Sequence, residues 1–162
     1  MDALDPEANV STPRWVARLV EVLQPTGARA GRLGSMDLFE GFRWAELERF
    51  AALFEDVEVS RGSRLTVQGK RDARFWVISE GEALVSADAR PLRVIGHGEA
   101  AGVTGMLYSI ASPETTIALG PVHALAAGPA EFEELVRNPR MRRRLTAVAG
   151  DQLRSRRLAK LR

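Results

Sequence analysis

The apolar residues Val16, Leu19, Val20 and Leu23 fall at i, i+3, i+4 and i+7, the spacing of one helix face. Thr12 and Pro13 supply a start and Pro25 a stop, so residues 13–24 are expected to form an amphipathic helix. Residues 1–11 ahead of it are acidic and show no apolar period. Gly27, Gly31 and Gly34, set between small and basic residues, read as a linker to a main body that begins near Asp37. There Trp44, Leu47, Ala51 and Phe54 return to helical spacing, with Phe50 and Leu53 widening the stripe, and predict a short helix over residues 43–54.

The pattern then changes. Seven short segments rich in Val, Ile, Thr and aromatics follow at intervals typical of an all-β sandwich or roll: 57–60, 64–68, 75–79, 83–87, 92–95, 115–119 and 122–126. Turn residues separate them, at Arg61-Gly62, Gly69 to Asp72, Glu80-Gly81, Asp88 to Pro91 and Gly120-Pro121. Beyond Gly128-Pro129, Phe132, Leu135 and Val136 mark a short helix that ends at Asn138-Pro139. A second helix from about Arg140 carries Met141, Leu145 and Val148, and its stripe fails after Gly150. The expected organisation is an N-terminal extension (1–36), a β domain (37–139) and a basic C-terminal helix or tail (140–162).

Composition narrows the chemistry. With 162 residues, 45% hydrophobic and 27% charged, the chain has the makings of one folded core. It contains no cysteine, which removes disulfides, thiolate nucleophiles and cysteine-held metal. Only His97 and His123 could ligate a metal through imidazole, and both read as surface or turn residues. No apolar run is long enough to span a bilayer, so a soluble, cytoplasmic protein is expected. Carboxylate pairs such as Glu133-Glu134 lie on solvated helix faces, and no Ser-His-Asp order, P-loop or HExxH pattern is present. Gly96-His97-Gly98, with Gly102 after it, superficially resembles a dinucleotide-binding turn, but Gly102, Gly105, Ser112 and Pro113 are expected to interrupt the helix it needs. A non-catalytic protein without cofactor is expected.

From Leu38-Phe39 onward the chain resembles the cyclic-nucleotide-binding domain family of catabolite-activator-type regulators, protein kinase A regulatory subunits and gated channels. The resemblance rests on that Leu-Phe pair and the following helix, on Leu65-Thr66-Val67-Gln68-Gly69, and on Phe75-Trp76-Val77-Ile78-Ser79-Glu80-Gly81 leading to Val85. Gly98-Glu99-Ala100-Ala101-Gly102 has the family's spacing ahead of the ligand loop. The resemblance implies a mainly β fold with flanking α: a jelly-roll β-roll with N-terminal helices and two C-terminal helices. It also implies a phosphate-binding cassette at Gly102, Val103, Thr104, Glu114, Thr115 and Thr116. In the family a Glu follows the Gly and an Arg pairs the cyclic phosphate; here those positions hold Val103 and Glu114. A carboxylate repels a phosphate, so cyclic nucleotide is not the expected ligand. Arg93, the nearest other cation, sits on a different strand. Regulators of this family continue into a winged helix-turn-helix, and none is expected within the residues up to Arg162.

Charge is segregated: residues 137–162 hold 10 basic side chains and 1 acidic. Arg140, Arg142, Arg143, Arg144, Arg154, Arg156 and Arg157 form a candidate polyanion patch for nucleic acid or an anionic membrane, weighed against a solvated Arg-rich helix. Met141, Leu145 and Val148 could contribute to a two-fold homodimer of the kind the resemblance implies. The first helix, through Trp15, Val16, Leu19, Val20 and Leu23, either caps the core or enters a partner's groove. The reading that follows is a regulatory or adaptor module acting on a protein partner. Its alternatives are a sensor of a small molecule or cyclic nucleotide, and a polyanion-binding module.

Overall fold

A computed structural model of the chain describes residues 26–161; the helix expected over 13–24, with Trp15, Val16, Leu19, Val20 and Leu23, lies outside them. Five α-helices are described: α1 (Thr26–Gly34), α2 (Trp44–Ala51), α3 (Val103–Tyr108), α4 (Pro129–Val136) and α5 (Pro139–Lys160). A 3-10 turn covers Asp37–Phe39. The strands are β1 (Glu55–Val59), β2 (Arg64–Thr66), β3 (Phe75–Glu80), β4 (Ala83–Ala87), β5 (Arg90–Ile95), β6 (Ala100–Ala101), β7 (Thr115–Ala118) and β8 (Val122–Ala127). They pair antiparallel in two four-stranded sheets, ordered β1-β8-β3-β6 and β2-β7-β4-β5. The architecture is a β-roll with flanking helices.

Two cores follow from the pleat. On β3, Phe75 and Val77 face the helices while Ile78 faces the second sheet, so both faces of the strand are covered. Its unbroken apolar run is the sequence signature of that burial. On β4 only Ala83, Val85 and Ala87 are buried, alternating with Leu84 and Ser86, as befits a strand covered on one side. The helical core contains all six phenylalanines of the chain. Their rings touch in one series, Phe42 to Phe50, Phe39, Phe54, Phe75 and Phe132, with centroids 5.0 to 6.2 Å apart.

Three features differ from the sequence expectation. The stretch around Gly27, Gly31 and Gly34 is helix α1, not a linker: Ala30 and Leu33 are fully buried in the helical core. Arg29 donates to the carbonyls of Ala51, the last residue of α2, and Phe54 beyond it, at 3.1 and 2.8 Å, and also binds Asp56. Second, Ala100–Ala101 and Val103–Tyr108 form a strand and a helix in a segment where no helix was expected. Third, α5 runs unbroken through Gly150 to Lys160. Its inward positions continue as Met141, Leu145, Ala149 and Gln152, so the apolar stripe fails because a polar residue takes the next buried place. The boundaries expected at 36/37 and 139/140 both cut through the single helical core, which includes Leu33, Phe39 and Met141. Met141 and Leu145 are wholly buried within the protomer and are not free to form a dimer seam.

Candidate functional site

The segment from β6 to β7 carries the candidate cassette. β6 ends at Gly102, whose φ of +84° and lack of a Cβ are both needed: a Cβ would lie 2.8 Å from the Arg74 carbonyl oxygen. The chain then enters α3. Val103 is fully buried in the helical core and contributes no surface to a pocket. Thr104, also buried, donates through Oγ1 to Gln152 Oε1 of α5 at 3.0 Å, and Gln152 Nε2 donates to the Ala100 carbonyl at 3.5 Å. The start of α3 is thereby fastened to α5.

The second half of the cassette lies where the chain enters β7. Glu114 is buried, and its two oxygens accept from Arg93 Nη1 and Nη2 at 3.0 and 2.8 Å. The fork is bidentate, with both charges neutralised. Arg93 is on β5, two strands from β7 in the second sheet, yet its side chain is long enough to cross β4. Backbone groups around Glu114 are equally engaged. Its carbonyl accepts from Ser112 Oγ at 2.9 Å and from Thr66 Oγ1 at 3.0 Å. Thr66 Oγ1 is also 3.0 Å from Thr116 Oγ1; a hydroxyl has one proton, so Thr66 accepts from Thr116. Thr115 Oγ1 accepts from the Gln68 N–H at 2.9 Å. The three threonines of the cassette, Thr104, Thr115 and Thr116, are each engaged in a hydrogen bond within the protein.

Sequence reasoning missed Asp72. Its carboxylate presses against Gly105 so closely that no Cβ fits there, and its Oδ2 has no hydrogen-bond partner among the described residues. Burial pushes its pKa up to about 6, offset only in part by the Ser112 hydroxyl beside it.

A cavity of about 760 Å³ lies between α5, the β5–β6 turn and the 3-10 turn. Arg93, His97, Glu99, Arg144, Asp151 and Gln152 line it, and none of the six cassette residues does. His97 bonds through Nδ1 to the Ser79 carbonyl at 2.7 Å.

No family model matches the chain, and no curated protein sequence matches it. Solved structures do. A cAMP-binding acyltransferase from Mycobacterium smegmatis aligns at 26% identity with a TM-score of 0.62, over 80% of this chain and 42% of its own. The catabolite activator protein of Thermus thermophilus aligns at 21% identity and TM-score 0.66, over 75% of this chain and 60% of its own. The regulatory subunit of a cAMP-independent protein kinase A from Trypanosoma brucei aligns at 17% identity and TM-score 0.70, over 85% of this chain and 53% of its own. The fold is that of a cyclic-nucleotide-binding domain. The domain spans about two fifths to three fifths of the length of each of these proteins.

On this cyclic-nucleotide-binding fold the arginines of the C-terminal helix are scattered in role. Arg140 and Arg144 stack over Phe42, with guanidinium carbons 4.2 and 4.9 Å from the ring centroid, and donate to the carbonyls of Gly41 and Leu38. Arg154 pairs with Asp151 and Arg156 with Asp88. Of the seven named for the patch, Arg142, Arg143 and Arg157 point outward with no ion pair among the described residues. Within those residues no helix is long and apolar enough to cross a membrane.

Proposed function

We propose that this domain is a non-catalytic regulatory module that acts through a protein partner, and that its cassette does not take a cyclic nucleotide in the family's manner. The observation that carries the reading is the Arg93–Glu114 fork. The position where the resemblance calls for a phosphate-pairing arginine holds a buried carboxylate, and Arg93 is already spent on it. A cyclic phosphate entering here would have to displace a satisfied carboxylate from a bidentate guanidinium. The trypanosomal neighbour, described as part of a cAMP-independent kinase, supports the idea that this fold serves regulation without that ligand.

Calorimetric titration with cAMP and cGMP tests the reading. The unmodified protein should give no binding heat, and Glu114→Arg combined with Arg93→Ala should gain affinity. Val103→Glu is not a useful companion, because it would bury a carboxylate among phenylalanines. A second reading, a cyclic-nucleotide sensor, draws on the 26% identity to the cAMP-binding acyltransferase. A micromolar dissociation constant in the unmodified protein, about −8 kcal/mol, would favour it and overturn the first.

A further inference from the structure

At the far end of the roll, the β4–β5 hairpin and the last turns of α5 enclose a second cavity of about 400 Å³. Its polar lining is Asp88, Arg90, Arg156 and Lys160, three cations to one carboxylate. The carboxylate is already engaged. Asp88 Oδ1 accepts from Gln68 Nε2 and the Asp88 N–H donates to Gln68 Oε1, both at 2.8 Å. Gln68's hydrogen bond holds the Asp88 carboxyl below the usual range, assisted by the charges of Arg156, Lys160 and Arg90.

Arg156 is the unusual member. Its Nη2 lies 3.8 Å from Asp88 Oδ2, beyond hydrogen-bond distance, and its Nε is buried with no acceptor among the described residues. An N–H of a guanidinium held from water without a partner is an unfavourable arrangement that an incoming anion would relieve. The hairpin is held in shape by Asp88 and Ala89, both at positive φ (52° and 59°), which place Arg90 at the start of β5 facing the helix end.

We infer that this cavity is a binding site for a small dianion, a phosphate monoester or diphosphate, held by the Arg156 and Arg90 guanidiniums with Lys160 at the rim. The site is separate from the cassette, and its failure leaves the proposed function untouched.

Titration of the full chain with pyrophosphate, inorganic phosphate and ribose 5-phosphate, at ionic strength fixed with chloride, tests it. Pyrophosphate should bind, and Arg156→Ala and Arg90→Ala should each weaken it about tenfold or more. Lys160→Ala, at the exposed helix end, should weaken it less without disturbing the fold. Asp88→Asn keeps the Gln68 contact, removes the competing charge and should tighten binding. Arg142→Ala should change nothing. A preference for ribose 5-phosphate over inorganic phosphate would mark an ester-bearing metabolite as the ligand, and the reverse a free anion. Equal affinity in Arg156→Ala, Arg90→Ala and the unmodified chain, or no binding up to about 10 mM, would overturn the inference.

Discussion

Removing the guanidinium of Arg93 leaves the Glu114 carboxylate, whose side chain is only 8% exposed, with no counter-ion. Arg93→Ala should therefore lower stability by about 3 kcal/mol in urea unfolding at neutral pH. Arg93→Leu with Glu114→Leu should cost less than that single change, because the pair disappears as a unit. Asp72 makes a prediction of opposite sign. Its native pKa of about 6 lies above the ordinary 3.8, so the folded state holds the proton more tightly than the unfolded chain. Stability from this group is complete below about pH 4 and is lost as pH rises through 6. Asp72→Asn should raise stability above pH 6 by about 1 kcal/mol, allowing for its partial exposure, and change little near pH 4. Neither residue's role was legible in the sequence. Glu114 could be aligned to a missing arginine, but its partner sits two strands away, and cross-strand distance is a property of the sheet order. The sequence shows the place of Val103 in a motif, but not that the start of α3 turns its side chain into the helical core.

Strands were the most legible elements, since alternation on β4 and the apolar run of β3 directly encode one-sided and two-sided burial. Helices with glycines were the least legible. In α1 the glycines weaken local propensity, and the helix is held instead by Ala30, Leu33 and the Arg29 contacts to α2, which are tertiary. In α5 the buried Gln152 broke the apolar pattern while continuing the buried face. Two predictions belong at this scale, both read by chemical denaturation. Leu145→Ala should cost about 3 kcal/mol, since the side chain is wholly buried in the helical core, while Leu158→Ala, 62% exposed on the same helix, should change stability by less than about 0.5 kcal/mol. Gly102→Ala should cost about 2 kcal/mol or more, combining a positive φ with a collision against the Arg74 carbonyl.

The described end of the extension, from residue 26, the roll and the C-terminal helix form one packing unit in three dimensions, because Leu33, Phe75 and Met141 share a core. Charge segregation at the C-terminus was legible, but its meaning was not: Arg140 and Arg144 serve as packing for Phe42, and Arg156 closes a cavity wall. The series of six phenylalanine rings has a consequence for how the molecule comes apart. Because the rings run without a gap from Phe42, beside α2, through β3 to α4, slow amide exchange should report a single subglobal opening in which α2, β3 and α4 deprotect together. Replacing the central ring, Phe54→Ala, should split that opening in two, with the α2 end exchanging earlier than the α4 end.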